Sequence, residues 1–431
     1  MIEKIQIKET FSVNRKLPVG IQSFEKMRTD DFLYVDKTEY IYELVHNNVP
    51  YFFSRPRRFG KSLLLSTLKA YFEGKKELFS GLAIEKLEEK SVNSWNRYPV
   101  FYFDFNGTSY QSENALEDIL DELLSRWEDT YDIPSKEGLG LGARFRNLLI
   151  AAKAQTGLKS VVLVDEYDKP LLDVIDNKAL QVHNKEVFKG FFSTLKSFDE
   201  YLQFIFITGV SKFHKVSIFS DLNQLTDISL DESYASLCGI TENELSVYFD
   251  EEIELLSVKH GISVLECKNE LKKQYDGYKF HHNGAGVYNP YSVLKAFFSM
   301  EFGAYWFETG TPSFLISKVR SSSFDLRKLT NHTIYASDSM LKDYTGDSLD
   351  LVPLLYQSGY LTITDYDPVK RRYTLGFPNE EVKYGFLESL MPSYVPKATA
   401  GNGLDIFTLD DYVENGDVDS VREGRVKEAH L

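Results

Sequence analysis

Short apolar runs alternate with longer amphipathic stretches through the first half of the chain. Four of the runs are strand-sized and rich in aromatic or β-branched residues: 49–53, 99–105, 160–164 and 201–208. Stretches with helical periodicity lie between them, at 63–72, 115–131, 143–155 and 185–197. Strands separated by helices predict an α/β fold in which a mostly parallel sheet is covered by helices on both faces.

Past residue 234 the strand pattern stops and helical signals take over. Thr241 and Glu244 form a capping-box signature that opens a helix, and residues 235–325 are predicted to be a helical lid. His281 and His282 stand side by side in a loop that is rich in glycine and aromatic residues. Because this pair has no third ligand at useful spacing, we interpret it as part of an exposed loop and not as a metal site.

A third unit is predicted over residues 326–398. Its first helix ends at Gly359, a hairpin turns at Asp367-Pro368, and a second helix covers 382–391. Helix, hairpin and helix in this order predict a winged-helix-like domain. Such a domain either binds DNA or packs beside an ATPase, and the acidic balance of the chain favours packing.

The segment 54–62 joins the first predicted strand to the first long helix and ends in Gly60-Lys61-Ser62. This tripeptide is typical of loops that hold the phosphates of a nucleoside triphosphate. The chemistry needs the order strand, loop, helix, because the first amide N–H groups of a helix are unpaired and face an anion above them. The full pattern has glycine where this chain has Arg55, so the tripeptide alone leaves a helix-capping surface turn as the alternative.

The apolar run 160–164 ends directly in Asp-Glu-Tyr-Asp at 165–168, which places acids at the carboxyl edge of a buried strand. Ligands bind at that edge in open α/β sheets. An aspartate followed by a glutamate suits the ordering of a magnesium ion's water shell and the polarisation of an attacking water. Acids before Pro170 are also typical of a helix start. Taken with the phosphate loop on the same predicted edge, however, they predict a P-loop NTPase fold.

Several separate segments resemble the AAA-ATPase-like family of bacterial proteins. They are LPVGI at 17–21, YVDKT at 34–38, RPRRFGKS at 55–62, VDEYD at 164–168 and TGVSKF at 208–213. The similarity covers essentially the whole chain up to about residue 421.

The resemblance implies a domain, a nucleotide and a further role. Residues 1–234 would form a P-loop AAA-ATPase-like domain, and the arginine at position 55 is then a family trait. ATP, in preference to GTP, is the implied nucleotide. Thr208 lies at the tip of the fourth predicted strand, and the resemblance gives it a sensor role at the γ-phosphate or the attacking water. A hydroxyl that caps the next turn is the alternative.

Members of this family typically carry a carboxyl-terminal nuclease-like domain of the PD-(D/E)XK superfamily. Here residues 399–431 are expected to hold only its start, with its first helices over 404–421. A strand with Asp and then Glu-x-Lys does not follow, and a metal-dependent phosphodiesterase needs those groups. We therefore expect no nuclease activity from this chain. A truncated or frameshifted gene would explain why residues 424–431 depart from the family's pattern.

Composition agrees with a large soluble protein that can bury more than one core, since the chain has 431 residues of which 43% are hydrophobic. Its apolar runs are too short for a membrane helix and its amino terminus lacks a secretion signal. Cys238 and Cys267 have neither disulfide-framework nor metal-ligand spacing. These features predict a cytoplasmic protein without a membrane segment.

A net charge of −15 disfavours nucleic-acid binding driven by the overall field, so any such contact has to be local. The basic clusters are 55–58 and 370–372. The first is expected to face nucleotide phosphate. The second lies in the predicted hairpin, where a solvated turn flank is as good an interpretation as a DNA contact.

We therefore predict a protein that binds ATP together with Mg²⁺ and hydrolyses it slowly. Backbone amides of 57–62 are expected to cradle the β- and γ-phosphates, while Lys61 neutralises their charge. Arg57 or Arg58 is expected to add a second positive charge at the γ-phosphate. The residues predicted to bind the cofactor are Arg57, Arg58, Phe59, Gly60, Lys61, Ser62 and Leu63.

Magnesium is expected to be ligated by Ser62, with Asp165 ordering its water shell. Glu166 is expected to position the nucleophilic water. The residues predicted to act in catalysis are Glu166, Lys61, Thr208 and Arg58.

Two other hypotheses stay open. The chain could be a nucleotide-gated interaction or DNA-binding module with negligible hydrolysis, or the inactive remnant of a truncated gene. Turnover with and without DNA separates the first of these from an ATPase. A nucleic acid, a protein partner and a homo-oligomer are all compatible with the sequence.

Overall fold

The computed structural model describes residues 15–47, 49–91, 94–134, 138–212, 215–219, 222, 224–310, 315, 318–319, 334–342 and 351–394. The predicted α/β fold is confirmed by a five-stranded parallel sheet with the order β2-β3-β4-β1-β5. Its strands are β1 (Tyr51–Ser54), β2 (Val100–Asp104), β3 (Ser160–Asp165), β4 (Leu202–Gly209) and β5 (Thr226–Asp227).

The helices that accompany this sheet are α1 (Phe24–Thr29), α2 (Thr38–Asn47), α3 (Lys61–Phe72), α4 (Ala83–Glu88), α5 (Ala115–Thr130), α6 (Leu141–Thr156), α7 (Lys169–Leu172), α8 (Lys178–Ser197) and α9 (Lys215–Ile218). Short 3₁₀ turns lie at Lys76–Phe79, Asp199–Tyr201 and Glu232–Tyr234. Every residue of β3 is buried, since both faces of the sheet are covered. That is why its sequence is continuously apolar and does not alternate.

The register brings the ends of the strands to one edge. Ser54 at the end of β1 pairs with Gly209 at the end of β4, and Asp104 of β2 pairs with Asp165 of β3. Because these strands are parallel, the segments that leave them emerge side by side.

The described part of the region after the sheet is mainly helical, and its role as a lid stays a prediction. It contains α10 (Glu242–Tyr248), α11 (Asp250–His260), α12 (Val264–Tyr275), α13 (Pro290–Ser299) and α14 (Tyr305–Gly310). Two short antiparallel strands pair within it: β6 (Ile240–Thr241) before α10 and β7 (Val287–Tyr288) before α13. The predicted capping box of Thr241 and Glu244 is formed. Residues such as Leu245, Ile253 and Leu271 build a core of its own.

The third unit contains β8 (Ile334–Ser337), α15 (Asp338–Lys342), α16 (Leu351–Ser358), β9 (Thr362–Asp367), β10 (Arg372–Gly376) and α17 (Glu380–Tyr394). Its strands form an antiparallel sheet with the order β8-β10-β9, which contains the predicted hairpin. Its buried residues belong to the same hydrophobic core as the parallel sheet. The winged-helix assignment and the domain boundaries stay predictions.

The predicted start of a nuclease-like domain, residues 399–431, lies outside the described residues. Among the helices that the structure describes, none combines the length and the apolarity needed to cross a bilayer.

Candidate functional site

Helix α3 begins without a side-chain cap. Gly60 precedes it with φ +93°, a left-handed conformation that glycine adopts at little cost. The first bond of the helix runs from the Leu64 amide to the Gly60 carbonyl at 2.9 Å. The amides of Lys61, Ser62 and Leu63 therefore lie too early in the helix for an intrahelical acceptor. Together with the positive end of the helix dipole, they are suited to an anion.

A cavity opens in front of these amides. It encloses about 1220 Å³ of empty space, counted with its open part, and is called the loop cavity below. The predicted site residues that line it are Arg57, Arg58, Gly60, Lys61, Ser62, Leu63 and Glu166. The structure thus brings the phosphate loop, residues 54–62, and the acid after β3 to one space.

Lys61 is buried, and its ammonium group is folded back onto the loop. Its Nζ donates to the carbonyl of Arg55 at 2.9 Å and to the carbonyl of Pro56 at 3.0 Å. These contacts hold the cation at the edge of the loop cavity. An anion in front of the helix would compete with the two carbonyls for this ammonium group.

Glu166 is half-buried and has φ +51°, an unusual backbone conformation for a residue with a side chain. Arg58, which lines the same cavity, has φ +68°. Strained residues of this kind cluster at functional sites. Burial raises the pKa of the Glu166 carboxyl, the charge of Lys61 opposes this rise, and Asp165 adds to it.

Asp165 lies behind Glu166 and is 1% exposed. Its Oδ1 accepts a hydrogen bond from the Thr208 hydroxyl at 2.6 Å, and its Oδ2 accepts one from the Tyr102 hydroxyl at 3.4 Å. Thr208 is fully buried. Its hydroxyl neither caps the following turn nor lines the loop cavity, because it points at this carboxylate.

Asp168 has a different environment from Glu166, two residues before it. Its carboxylate accepts bonds from the Val210 amide at 3.2 Å, the Ser211 amide at 2.7 Å and the Ser211 hydroxyl at 2.7 Å. Burial raises its pKa, and the bonds from Ser211 oppose that rise. Asp168 therefore ties the segment after β3 to the segment after β4.

The expectation that Arg55 faces nucleotide phosphate is wrong. Its side chain is 1% exposed and turned into the core behind the phosphate loop. There it donates to the carbonyls of Ser54 at 2.9 Å, Ser229 at 2.7 Å and Tyr234 at 3.0 Å. Arginine at this position satisfies carbonyls that a glycine would leave to other donors.

The remaining loop residues divide between the cavity and the core. Arg58 is exposed and lies over the ring of Tyr291, with 4.6 Å from its guanidinium carbon to the ring centre. The Phe59 ring is buried, so only the backbone of this residue is placed to meet a ligand. Leu63 lies on the wall of the loop cavity.

The two residues predicted to serve magnesium both offer oxygen donors, but only Ser62 lines the loop cavity, while each carboxylate oxygen of Asp165 already accepts a hydrogen bond. The Ser62 hydroxyl and the carboxylate of Asp165 are oxygen ligands, and Mg²⁺ is usually held by one or two carboxylates together with substrate phosphates. Ser62 is half-exposed on the wall of the loop cavity. Within the part of the chain that the structure describes, His, Cys, Asp and Glu form no group of three or more that could hold a metal.

A second, mostly apolar cavity adjoins the first and encloses about 700 Å³ of empty space. The two cavities share the lining residues Pro18, Met27, Gly60, Leu63, Pro290 and Leu294. Val35 and Phe249 stand on the walls of this apolar cavity, which thus lies between the amino-terminal segment, the phosphate loop and the lid.

Sequence reasoning missed four residues with polar side chains that also line the loop cavity: Gln22, Asn106, Lys169 and Tyr291. Asn106 follows the end of β2 at the same sheet edge, and Lys169 comes shortly after the acids of β3. Their positions in the sequence could have indicated both. Gln22 and Tyr291 reach the site from distant segments and have no such signal.

Comparison with known proteins shows the family of this chain. A sequence model of the family described as Predicted AAA-ATPase matches residues 18–219, which include the phosphate loop and the acids after β3. A protein of Azotobacter chroococcum mcd 1, named Uncharacterized protein in vnfD 5'region, is 38% identical over 386 residues, which are 89% of this chain and 71% of that protein.

Two solved structures also show a likeness. One is the Aeropyrum pernix ORC1 protein in complex with DNA, with a TM-score of 0.28 and 9% identity over 82% of this chain and 91% of that one. The other is the Aeropyrum pernix ORC2 protein (ADPNP-ADP complexes), with a TM-score of 0.30 and 12% identity over 96% of this chain and 97% of that one. Both TM-scores are below 0.5, so neither likeness indicates a function for this chain. The family match and the long alignment with the Azotobacter protein show that this chain belongs to the AAA-ATPase-like family.

Proposed function

We propose that the protein binds Mg-ATP at the loop cavity and hydrolyses it slowly. One observation carries the proposal: the uncapped start of α3, the cation Lys61 and the acid Glu166 meet at the same cavity. An anion-binding helix end beside a carboxylate that can orient water is the arrangement that phosphoryl transfer to water needs.

The phosphates would bind the backbone amides of residues 57–62. Lys61 would exchange the carbonyls of Arg55 and Pro56 for phosphate oxygens, which carry more negative charge. Arg57 and Arg58 line the same cavity and would supply further positive charge at the γ-phosphate. The adjoining apolar cavity would take the base, and the choice of adenine over guanine rests on the family.

Hydrolysis would use the acids after β3. Ser62 would ligate the magnesium ion, whose charge offsets that of the phosphates, and Asp165 would order its water shell. Glu166 would orient the attacking water and accept its proton. Thr208 would act through Asp165, whose carboxylate it holds in place, and not by direct contact with the γ-phosphate.

The test is a comparison of two lysine variants. Lys61→Ala should weaken Mg-ATP binding by about 100-fold, because a charge-assisted contact to phosphate is worth up to about 3 kcal/mol. Lys75→Ala is the matched control, since Lys75 forms surface ion pairs with Glu25 and Glu73 and should leave the affinity unchanged. Isothermal titration with Mg-ATP, Mg-GTP and ADP measures both affinity and base preference. A Lys61→Ala protein that binds Mg-ATP as tightly as the wild type would falsify the proposal.

The second candidate is a nucleotide-gated DNA-binding module, and the β9–β10 hairpin favours it. Val369 at the hairpin tip is 91% exposed, and the basic residues Lys370 and Arg371 follow it. An exposed basic tip of this kind can contact a phosphate backbone despite the negative net charge. Binding to duplex DNA at two salt concentrations, with Mg-ATP or ADP present, tests this. The double variant Lys370→Glu/Arg371→Glu should abolish DNA binding and leave ATP affinity unchanged.

A further inference from the structure

The phosphate loop lacks glycine between Ser54 and Gly60. A loop that binds anions has to turn its amides inward, and glycine is the residue that usually permits the required conformations. Here the shape of the loop has to be held by other contacts. Four residues from beyond position 275 supply them, and they are called the anchor residues below: Tyr278, Phe280, Trp306 and Gly359.

The most direct of these contacts is a hydrogen bond to the loop backbone. The indole Nε1 of Trp306 donates to the carbonyl of Arg57 at 3.0 Å, and the Trp306 side chain is fully buried. This bond keeps the Arg57 carbonyl pointed away from the loop cavity. The amide of the next residue, Arg58, shares the same peptide plane and is thereby fixed as well.

Gly359 forms the second contact, at the end of α16. It has φ +93°, and a Cβ atom placed on it would lie 2.7 Å from Cβ of Pro56. The Pro56 ring therefore packs directly against the backbone of the third unit. The position tolerates only glycine, because both the conformation and the space exclude a side chain.

The other two anchor residues, Tyr278 and Phe280, hold the loop by aromatic packing. The ring of Phe59 meets Tyr278 at 4.8 Å and Phe280 at 5.5 Å between ring centres, in both cases edge to face. The guanidinium of Arg55 lies 3.9 Å from the centre of the Phe280 ring and 4.3 Å from that of Phe53. Loop residues on either side of Pro56 are thus held by the helical region after the sheet, while Pro56 itself packs against the third unit.

We propose that Trp306, in the helical region after the sheet, and Gly359, in the third unit, are positioning residues that hold the phosphate loop in its anion-binding shape, so that nucleotide binding and the docking of the third unit are coupled. Trp306 takes part in this docking because it packs on Tyr360 of the third unit, with 5.3 Å between the ring centres. The inference rests on the proposed nucleotide site. Coupling of this kind is reciprocal: if docking of the third unit favours nucleotide binding, a bound nucleotide favours docking by the same factor. The third unit would then sense whether the loop is occupied.

The experiment compares two substitutions of tryptophan by phenylalanine. Trp306→Phe keeps an aromatic ring and removes the N–H donor, so Mg-ATP should bind about five-fold more weakly, as expected for one neutral hydrogen bond. Trp127→Phe is the matched control, because Trp127 packs on Phe101 and Phe103 beside the sheet, away from the loop. It should leave the affinity unchanged. Gly359→Ala, which pushes on Pro56, should also weaken binding.

Hydrogen exchange separates positioning from general stability. In the nucleotide-free protein, Trp306→Phe should speed exchange of the amides of residues 57–62 and leave those of β3 unchanged. In the wild type, Mg-ATP should slow exchange in residues 351–361, and this effect should be lost in Trp306→Phe even when ATP saturates the site. Unchanged exchange in the loop, or equal effects of both tryptophan variants, would overturn the inference. If the wild type does not bind Mg-ATP, the proposed function fails, while exchange in the nucleotide-free loop still tests the anchoring.

Discussion

The two sides of the phosphate loop differ in how their charges are used. On the front, which faces the loop cavity, Glu166 and Ser62 are only half-buried and Lys61 is held by two loop carbonyls. On the back, Arg55 donates to three backbone carbonyls, and Asp227 pairs with Lys212 at 2.9 Å. Charged residues at the same sheet edge therefore differ in how completely the protein itself provides them with hydrogen-bond or ion-pair partners. We expect those on the front to bind a ligand and those on the back to stabilise the fold.

The back carries two cations that are almost completely shielded from water, Arg55 and Lys212, and the partly buried Asp227. Burial lowers the pKa of Arg55 to about 10 and that of Lys212 to about 8. The pKa of Asp227 is lowered by the neighbouring cations Lys212 and Lys215, against the effect of burial. Such groups are tolerated inside a protein only when they are paired or hydrogen-bonded. Substitutions on the back should reduce stability, whereas substitutions on the front should reduce binding or turnover.

The largest expected effect is on the front. Glu166→Gln should reduce ATP turnover by about 10²–10⁴-fold, the contribution of a positioned general base, while Mg-ATP affinity is retained. Asp168→Asn, two residues away, is the contrasting control. It should cost stability because the carboxylate that accepts bonds from Val210 and Ser211 is lost. Steady-state turnover together with Mg-ATP titration measures both parameters, and undiminished turnover in Glu166→Gln would remove this residue from the mechanism.

Substitutions on the back of the loop should change the free energy of unfolding more than substitutions on the front. Arg55→Met leaves three buried carbonyls without their donor, so the free energy of unfolding should fall by about 3 kcal/mol. Arg57→Met, on the front, should change it by less than about 0.5 kcal/mol, because within the described part of the chain its side chain donates to no carbonyl. Chemical denaturation of both variants without nucleotide tests the contrast. Equal stabilities for the two would show that the back of the loop is not held by Arg55.

The sequence predicted the front better than the back. Loop, helix and acids are each local patterns: an apolar run that ends in Asp165 places that acid at a strand end whatever the rest of the chain does. Parallel strands then bring it to the edge that also holds Lys61. The predicted hairpin after Gly359 is likewise local, and it is present.

The contacts that were missed join segments far apart in the chain. The two-residue strand β5 and the strand β8 are too short for periodicity to reveal. The direction of Arg55 depends on carbonyls at Ser229 and Tyr234, and the bond from Trp306 to Arg57 spans 249 positions. Neither follows from the loop sequence, which only shows that glycine is absent.

The pH dependence of turnover sharpens the assignment of Glu166. Its pKa is raised, first by burial, while Lys61 lowers it. A base works only when ionised, so turnover should fall as the pH drops through this raised pKa, above the value of about 4.3 for an ordinary glutamate.

The contribution of Glu166 to stability should change with pH in the direction opposite to turnover. The folded protein holds the Glu166 proton more tightly than the unfolded chain. The contribution of this group to the free energy of unfolding is therefore fully present below the ordinary pKa and is lost as the pH rises through the raised one. Turnover and denaturation midpoints over the same pH series, with Glu166→Gln as reference, measure both. An acid limb at or below the ordinary value would contradict the buried environment of this carboxyl.

The smallest expected effect belongs to Thr208, which lies between the two sides. Its hydroxyl is fully buried like the groups on the back, yet it holds Asp165, which serves the front. Thr208→Val keeps the shape and removes one hydrogen bond, so turnover should fall about five-fold. Thr194→Val, a buried threonine in α8 whose hydroxyl contacts the Gly142 carbonyl at 3.4 Å, is the matched control and should leave turnover unchanged. If Thr208 instead contacts the γ-phosphate directly, turnover in Thr208→Val should fall by far more than five-fold. An interaction with the transferring phosphoryl group strengthens in the transition state, whereas the hydrogen bond to the Asp165 carboxylate does not involve that group.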